Sequence, residues 1–298
     1  ALADYSLALS IDPTDVFVYY ARGVLYLNRK QYDLALADLN EAIRLDPTDP
    51  YAFFARGAVQ QARGENDAAL RDYTEALRLD PRYWEALNNR GVVYQTIGMH
   101  QAAIDDFTAA LKIQEDPIVL RNRGSSLLEV GRNEDAVADL TRAITLAPDN
   151  PTAYFYRALA YAKLDKNDAA LADLNEAIRL DPTFFEALNN RGLILARKGD
   201  LEGALRDFNE AIRIAPTAST PYYNRALVYE KLGQHDKAEA DRKRARELEA
   251  AEKSRMTVEA PSGPATVMLN APTPTMMPTR GGATDVRKAA RTRAKPWR

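Results

Sequence analysis

Residues 84–116 read WEALNNRGVVYQTIGMHQAAIDDFTAALKIQED, and the same grammar recurs along most of the chain. Leu87, Gly91 and Tyr94 follow one another at helical spacing, Gly98 interrupts, and Ala103, Phe107 and Ala110 resume the pattern. That spacing predicts two amphipathic helices joined by a short turn. Outward from this stretch, an arginine followed by a small residue returns seven times, at Arg22, Arg56, Arg90, Arg123, Arg157, Arg191 and Arg225. The interval is 34 residues, with a single step of 33 between Arg90 and Arg123. A fixed period of this length marks stacked supersecondary units, none of which buries its apolar face alone.

The punctuation agrees. Pro50, Pro117 and Pro151 open first helices, where the missing N–H costs nothing. Gly64, Gly98, Gly131, Gly199 and Gly233 fall in the turns within units, where a left-handed backbone is expected. Each second helix carries two alanines, such as Ala103 and Ala110, flanking a large residue such as Tyr73, Phe107, Leu140 or Phe208. Small residues let helices approach while the large one fills the gap between them.

Trp84, Leu87, Gly91, Tyr94, Ala103, Phe107 and Ala110 closely resemble the tetratricopeptide repeat, and the resemblance covers about residues 1–253. Arginine stands where the repeat usually has leucine before its glycine, which resembles the Asn-Arg-Gly subclass of many bacterial proteins. The resemblance implies an all-α right-handed superhelix. Seven helix pairs are expected, at 16–49, 50–83, 84–116, 117–150, 151–184, 185–218 and 219–253, after half a unit at 1–15. Ala1, Asp4, Tyr5, Ala8 and Pro13 repeat the spacing of Ala35, Asp38, Leu39, Ala42 and Pro47. The chain is therefore expected to start inside a second helix, with any targeting region upstream. The unit at 84–116 lacks one residue before Pro117, where a small change of twist is expected. The last second helix, from about Asp236 to Lys253, is expected to be a solvated cap, with Glu239–Lys243 an attractive pair.

Net charge is −2, yet residues 254–298 hold 8 Lys/Arg against 2 Asp/Glu, leaving 32 against 40 in the array. This Pro/Thr-rich basic tail lacks the apolar content to offset ordering and is expected to be disordered. Solvation is its plain role; contact with an acidic surface is the alternative. An acidic array argues against nucleic acid as its ligand. No stretch reaches the roughly 20 apolar residues of a membrane span. Without cysteine there is no thiol chemistry, and the cytoplasm is the favoured compartment, although an oxidising one fits too.

No catalytic, metal or cofactor signature is present: no phosphate-binding glycine loop, no Gly-x-Ser-x-Gly and no His-Glu-x-x-His. His100 and His235 share one repeat position and read as turn fillers. The chain is read as a non-catalytic scaffold that holds an extended peptide or a partner helix. Two rivals are the interaction region of a larger enzyme or regulator, and a self-association module.

The resemblance places the first helices on a concave face, and the candidate peptide-binding residues follow from it. Asn89, Asn122, Asn190 and Asn224 each precede a repeat arginine, and an amide both donates to and accepts from a peptide backbone. Solvated or capping asparagines are the plain alternative. Tyr20, Phe54 and Phe155, one position earlier, are candidate aromatic anchors, with helix packing as their alternative. Arg121 shares that position and, with Asn122, is the one remnant of the carboxylate clamp known in some chaperone-binding relatives. Finally, Asp38, Asp72, Asp106, Asp139, Asp173, Asp207 and Asp241 each stand 16 residues after an arginine. Charge-assisted Arg–Asp contacts are expected, against arginines that reach an acidic ligand.

Overall fold

The structure is a computed structural model, and it describes residues 1–256. Fifteen α-helices and no strands make up these residues. A lone helix, α1 (Leu2–Ile11), precedes seven pairs. The pairs are α2 (Val16–Asn28) with α3 (Tyr32–Leu45), α4 (Pro50–Ala62) with α5 (Asn66–Leu79), and α6 (Trp84–Thr96) with α7 (His100–Ile113). Next come α8 (Pro117–Glu129) with α9 (Asn133–Leu146), and α10 (Pro151–Lys163) with α11 (Asn167–Leu180). The last are α12 (Phe185–Lys198) with α13 (Leu201–Ile214), and α14 (Ser219–Lys231) with α15 (His235–Met256). The expected disordered tail lies outside the described residues beyond Met256.

Local chemistry sets the ends of the helices. Asp49, Asp116 and Asn150 each cap the following proline-led helix by accepting backbone N–H bonds from its first turn. Gly98 adopts φ +79°, and an added Cβ there would meet nothing within 4 Å, so backbone freedom alone selects glycine. Lys30 and Asp165 occupy the same left-handed corner at φ 57° in their own units. His100 and His235 are not in the turn; each is the first residue of a second helix. The short connection before Pro117 holds three residues, 114–116, and its Glu115 forms a two-pronged pair with Arg142.

Packing follows the small-against-large rule. A Cβ on Gly91 would lie 2.7 Å from the Phe107 ring, and one on Gly57 would lie 2.9 Å from Tyr73. The glycines are therefore seats for the large side chain of the paired helix. Ala103, Phe107 and Ala110 are fully buried together.

The arginines are occupied. All seven make two parallel bonds to the aspartate of their own unit, as in Arg90 Nε and Nη2 to Asp106 at 2.8 and 2.7 Å. Nη1 then donates to the preceding unit: Arg22 to Ser6, Arg56 to Asn40, Arg90 to Thr74 and Arg123 to Thr108. Arg157, Arg191 and Arg225 likewise reach Thr141, Asn175 and Asn209. Tyrosine rings flank Arg157 and Arg225 on both sides at 5.7–5.8 Å, adding cation–π attraction. The pairs thus lie within units, each clamp ties two units together, and the alternative of arginines waiting for an acidic ligand is set aside. On the terminal helix, Glu239 lies 3.6 Å from Arg246, so its partner is not the Lys243 expected four residues on, and Arg242 pairs with Glu230.

Candidate functional site

First helices pack on one another along the array, α2 on α4, α4 on α6, α6 on α8, α8 on α10 and α12 on α14. Second helices pack mainly on first helices, so the first helices form the inner wall of the curve. Three sectors with different chemistry follow along this wall.

The first sector, on α2 to α6, is aromatic and acidic. Phe17 is 53% exposed and Tyr51 36% exposed. Tyr83, in the loop before α6, sits edge-on to Tyr51 at 5.2 Å and against Phe54 at 4.8 Å. Phe54 is only 4% exposed, because Tyr73 and Tyr83 enclose its ring. It is a packing residue, which corrects its expected role as an anchor. Tyr20 is half-buried; burial first, then nearby Asp49 and Tyr51, push its phenol up to about 12. Burial also raises the Asp49 and Glu85 carboxyls above their ordinary range.

The second sector is a seam of amides between α6 and α8. Asn122 Nδ2 donates to Asn88 Oδ1 at 3.1 Å, and Gln95 Nε2 donates to Ser125 Oγ at 2.6 Å. Asn89 is 1% exposed and accepts from Asn88 at 3.1 Å, so it is buried in the wall and does not face a ligand. Arg121 is half-buried, donates to Asn122 Oδ1 at 3.1 Å and forms no ion pair among the described residues. Burial pulls its guanidinium below the ordinary arginine value, outweighing the opposing pull of Tyr156 and Asp116.

The third sector spans α8 to α14. Phe155 is half-buried against Phe184 at 4.9 Å and Tyr156 at 5.6 Å. Asn224 donates to Asn189 Oδ1 at 2.8 Å, joining α12 and α14. Asn190 spends its Nδ2 on Glu186 O at 2.8 Å in its own helix. Two depressions open here. One of about 370 Å³ is lined by Leu128, Tyr156, Leu159, Lys163 and Arg197 among others. The second, of about 590 Å³, includes Leu193, Arg197, Asn224, Leu227 and Lys231.

The four predicted asparagines therefore do not form one continuous row. Asn122 and Asn224 cross-link adjacent first helices through Asn88 and Asn189, which sequence reasoning did not single out. The doubled asparagines at 88–89 and 189–190 were the available signal. The hydroxyl and amide acceptors of the arginines were also missed. They stand two residues after each aspartate, as in Asp4-Tyr5-Ser6 and Asp106-Phe107-Thr108. Among the described residues no group of three or more His, Asp or Glu is placed to hold a metal ion, and no helix is long and apolar enough to cross a membrane.

Sequence profiles described as "Tetratricopeptide repeat" match residues 16–49, 84–117, 121–183, 158–219 and 208–240, and one described as "TPR repeat" matches 61–98. No match is found among curated proteins. Several solved structures are similar. The APC/C hetero-tetramer Cut9-Hcn1 aligns with TM-score 0.66 at 19% identity over 76% of this chain, which spans 45% of that structure's chain. A tetratricopeptide repeat protein from Parabacteroides merdae aligns at 0.65 and 18% identity, covering 82% of this chain and 99% of that one. YrrB, described as a TPR protein with an unusual peptide-binding site, aligns at 0.52 and 27% identity, covering 61% and 95%. The likenesses under 25% identity bear on the fold alone.

Proposed function

Because the chain belongs to the tetratricopeptide repeat family, we propose that it is a protein-interaction scaffold whose inner wall binds an extended peptide segment of a partner. One observation carries this reading: half-buried Asn122, Asn190 and Asn224 stand on the first helices α8, α12 and α14, with half-buried Arg121 next to Asn122, Phe155 on α10, and Tyr20 farther along the same wall on α2. Each of these three amides has hydrogen-bonding capacity beyond its bonds within the array, which are one Nδ2 bond each for Asn190 and Asn224, and an Nδ2 bond plus an Oδ1 bond from Arg121 for Asn122. Backbone-directed bonds from such amides hold a peptide without demanding one side-chain sequence. The similarity to YrrB, a peptide-binding relative by description, supports the same assignment.

The test is selection of displayed random peptides on the array, followed by affinity measurement with Asn122→Ala, Asn190→Ala and Asn224→Ala combined. Loss of roughly tenfold or more, about 1.4 kcal/mol, is expected. Equal binding of the selected peptides to the variant removes the groove from the proposal.

A second reading, self-association, draws on one feature. Leu7 and Ile11 on α1 are 63% and 78% exposed, leaving an apolar strip on the first helix of the array. Light scattering across a concentration series decides this reading, and a constant monomer mass ends it.

A further inference from the structure

Leu159, Leu193 and Leu227 recur at 34-residue steps on α10, α12 and α14, and four residues after each comes a cation: Lys163, Arg197 and Lys231. A spacing of four puts leucine and cation on one helix face. The two depressions of the third sector confirm the juxtaposition, since one is lined by Leu159, Lys163 and Arg197 and the other by Leu193, Arg197, Leu227 and Lys231. Leu227 is 55% exposed, a large apolar side chain turned to solvent beside an exposed ammonium.

The rows stop abruptly. In the first three units the leucine position holds Val24, Ala58 and Val92, and the cation position holds Asn28, Ala62 and Thr96. The fourth unit has Ser125 and Glu129. The three cations form no ion pair among the described residues, although the array as a whole is acidic. Lys163 Nζ donates to Leu128 O at 2.9 Å. Of the carboxylates at the depressions, Glu230 is bound by Arg242 and His235, and Glu129 borders the first depression.

We propose that the inner wall of the last three units takes an acidic segment of a partner protein that carries bulky apolar residues. The apolar side chains seat on Leu159, Leu193 and Leu227, and the carboxylates meet Lys163, Arg197 and Lys231. Charge complementarity argues for this occupant, since cations flanking an apolar floor attract carboxylates and repel basic chains. The arrangement differs from a clamp on a chain terminus. Its cations repeat along the wall, so an internal segment suffices. This inference rests on the peptide-binding reading and deepens it.

Fluorescence anisotropy with the full chain and three labelled, C-terminally amidated peptides of equal length provides the test. One peptide repeats leucine with glutamate, one leucine with lysine, and one serine with glutamate. The leucine–glutamate peptide is expected to bind about tenfold or more tightly than either other. The combined Lys163→Glu, Arg197→Glu and Lys231→Glu variant should reverse the preference toward the leucine–lysine peptide. All three cations are exposed, so an unchanged melting temperature certifies the fold of the variant. Equal affinity for the acidic and basic peptides, or an unaltered preference in the variant, overturns the proposal. If that equal binding still falls in the Asn122→Ala, Asn190→Ala and Asn224→Ala protein, the groove survives and only its charge preference is wrong. If no peptide binds the wild-type chain, both readings fall.

Discussion

At the scale of single residues, Asp49 shows a conflict between two roles. Its Oδ1 caps α4 by accepting from Tyr51 N at 2.9 Å, yet burial, with Asp46 close by, raises its carboxyl above the ordinary range. In the window between ordinary and raised values the unfolded chain holds fewer protons than the folded one, so stability falls as pH rises through it. Asn150 performs the same capping role without a charge, accepting from Thr152 and Ala153 N–H groups. Asp49→Asn is therefore expected to raise the melting temperature at neutral pH, with the gain fading below roughly pH 4, where an unperturbed aspartate is itself protonated. Parallel thermal melts of both proteins across that range check the sign. Phe54 teaches a related lesson about legibility. Its position on the first helix suggested exposure, but Tyr83, lying just before the next unit, covers it. A ring whose fate depends on a neighbouring unit's loop cannot be placed from its own helix.

At the scale of elements, the turn between paired helices has one demanding position. Gly98 sits at φ +79° with open space around it, so Gly98→Ala isolates the backbone penalty from any clash. A loss of about 1 kcal/mol is expected, and a smaller one for Gly98→Asn, since short polar side chains tolerate this region better. Urea unfolding of the two variants measures the difference, and equal stability of wild type and Gly98→Ala contradicts it. The turns, the paired helices and the small-to-large seats were all legible, because each depends on spacing within one unit. Contacts between units were less so. Nothing in Asp-x-Ser/Thr/Asn announces that its third residue accepts from the next unit's arginine, and the two Asn–Asn cross-links join residues 34 or 35 apart.

For the whole molecule, stability is a sum of units and their interfaces. The Arg90 guanidinium joins α7 through Asp106 to α5 through Thr74, at the middle of the array. Asp106→Ala leaves a charge that is largely shielded from water without its carboxylate, a loss of about 3 kcal/mol. Placed centrally, it should also uncouple the two halves. Hydrogen exchange in the variant is expected to accelerate in α5 to α8 relative to the outer pairs, against an expected wild-type order in which the terminal helices exchange first. A uniform acceleration along the chain would show that the clamp contributes to global stability only.

The backward reach of each guanidinium also gives the array a grain. Arg22 finds Ser6, Arg56 finds Asn40, and so on to Arg225 with Asn209, always toward the amino end. During synthesis the acceptor oxygen of each junction leaves the ribosome before its arginine does. Every module's arginine therefore arrives after the acceptor it grips, so the contact order allows the solenoid to grow in the direction of translation. A chain shortened at its carboxyl end retains every arginine contact of the modules left behind, whereas one trimmed at its amino end begins with a donor that has nothing to grasp.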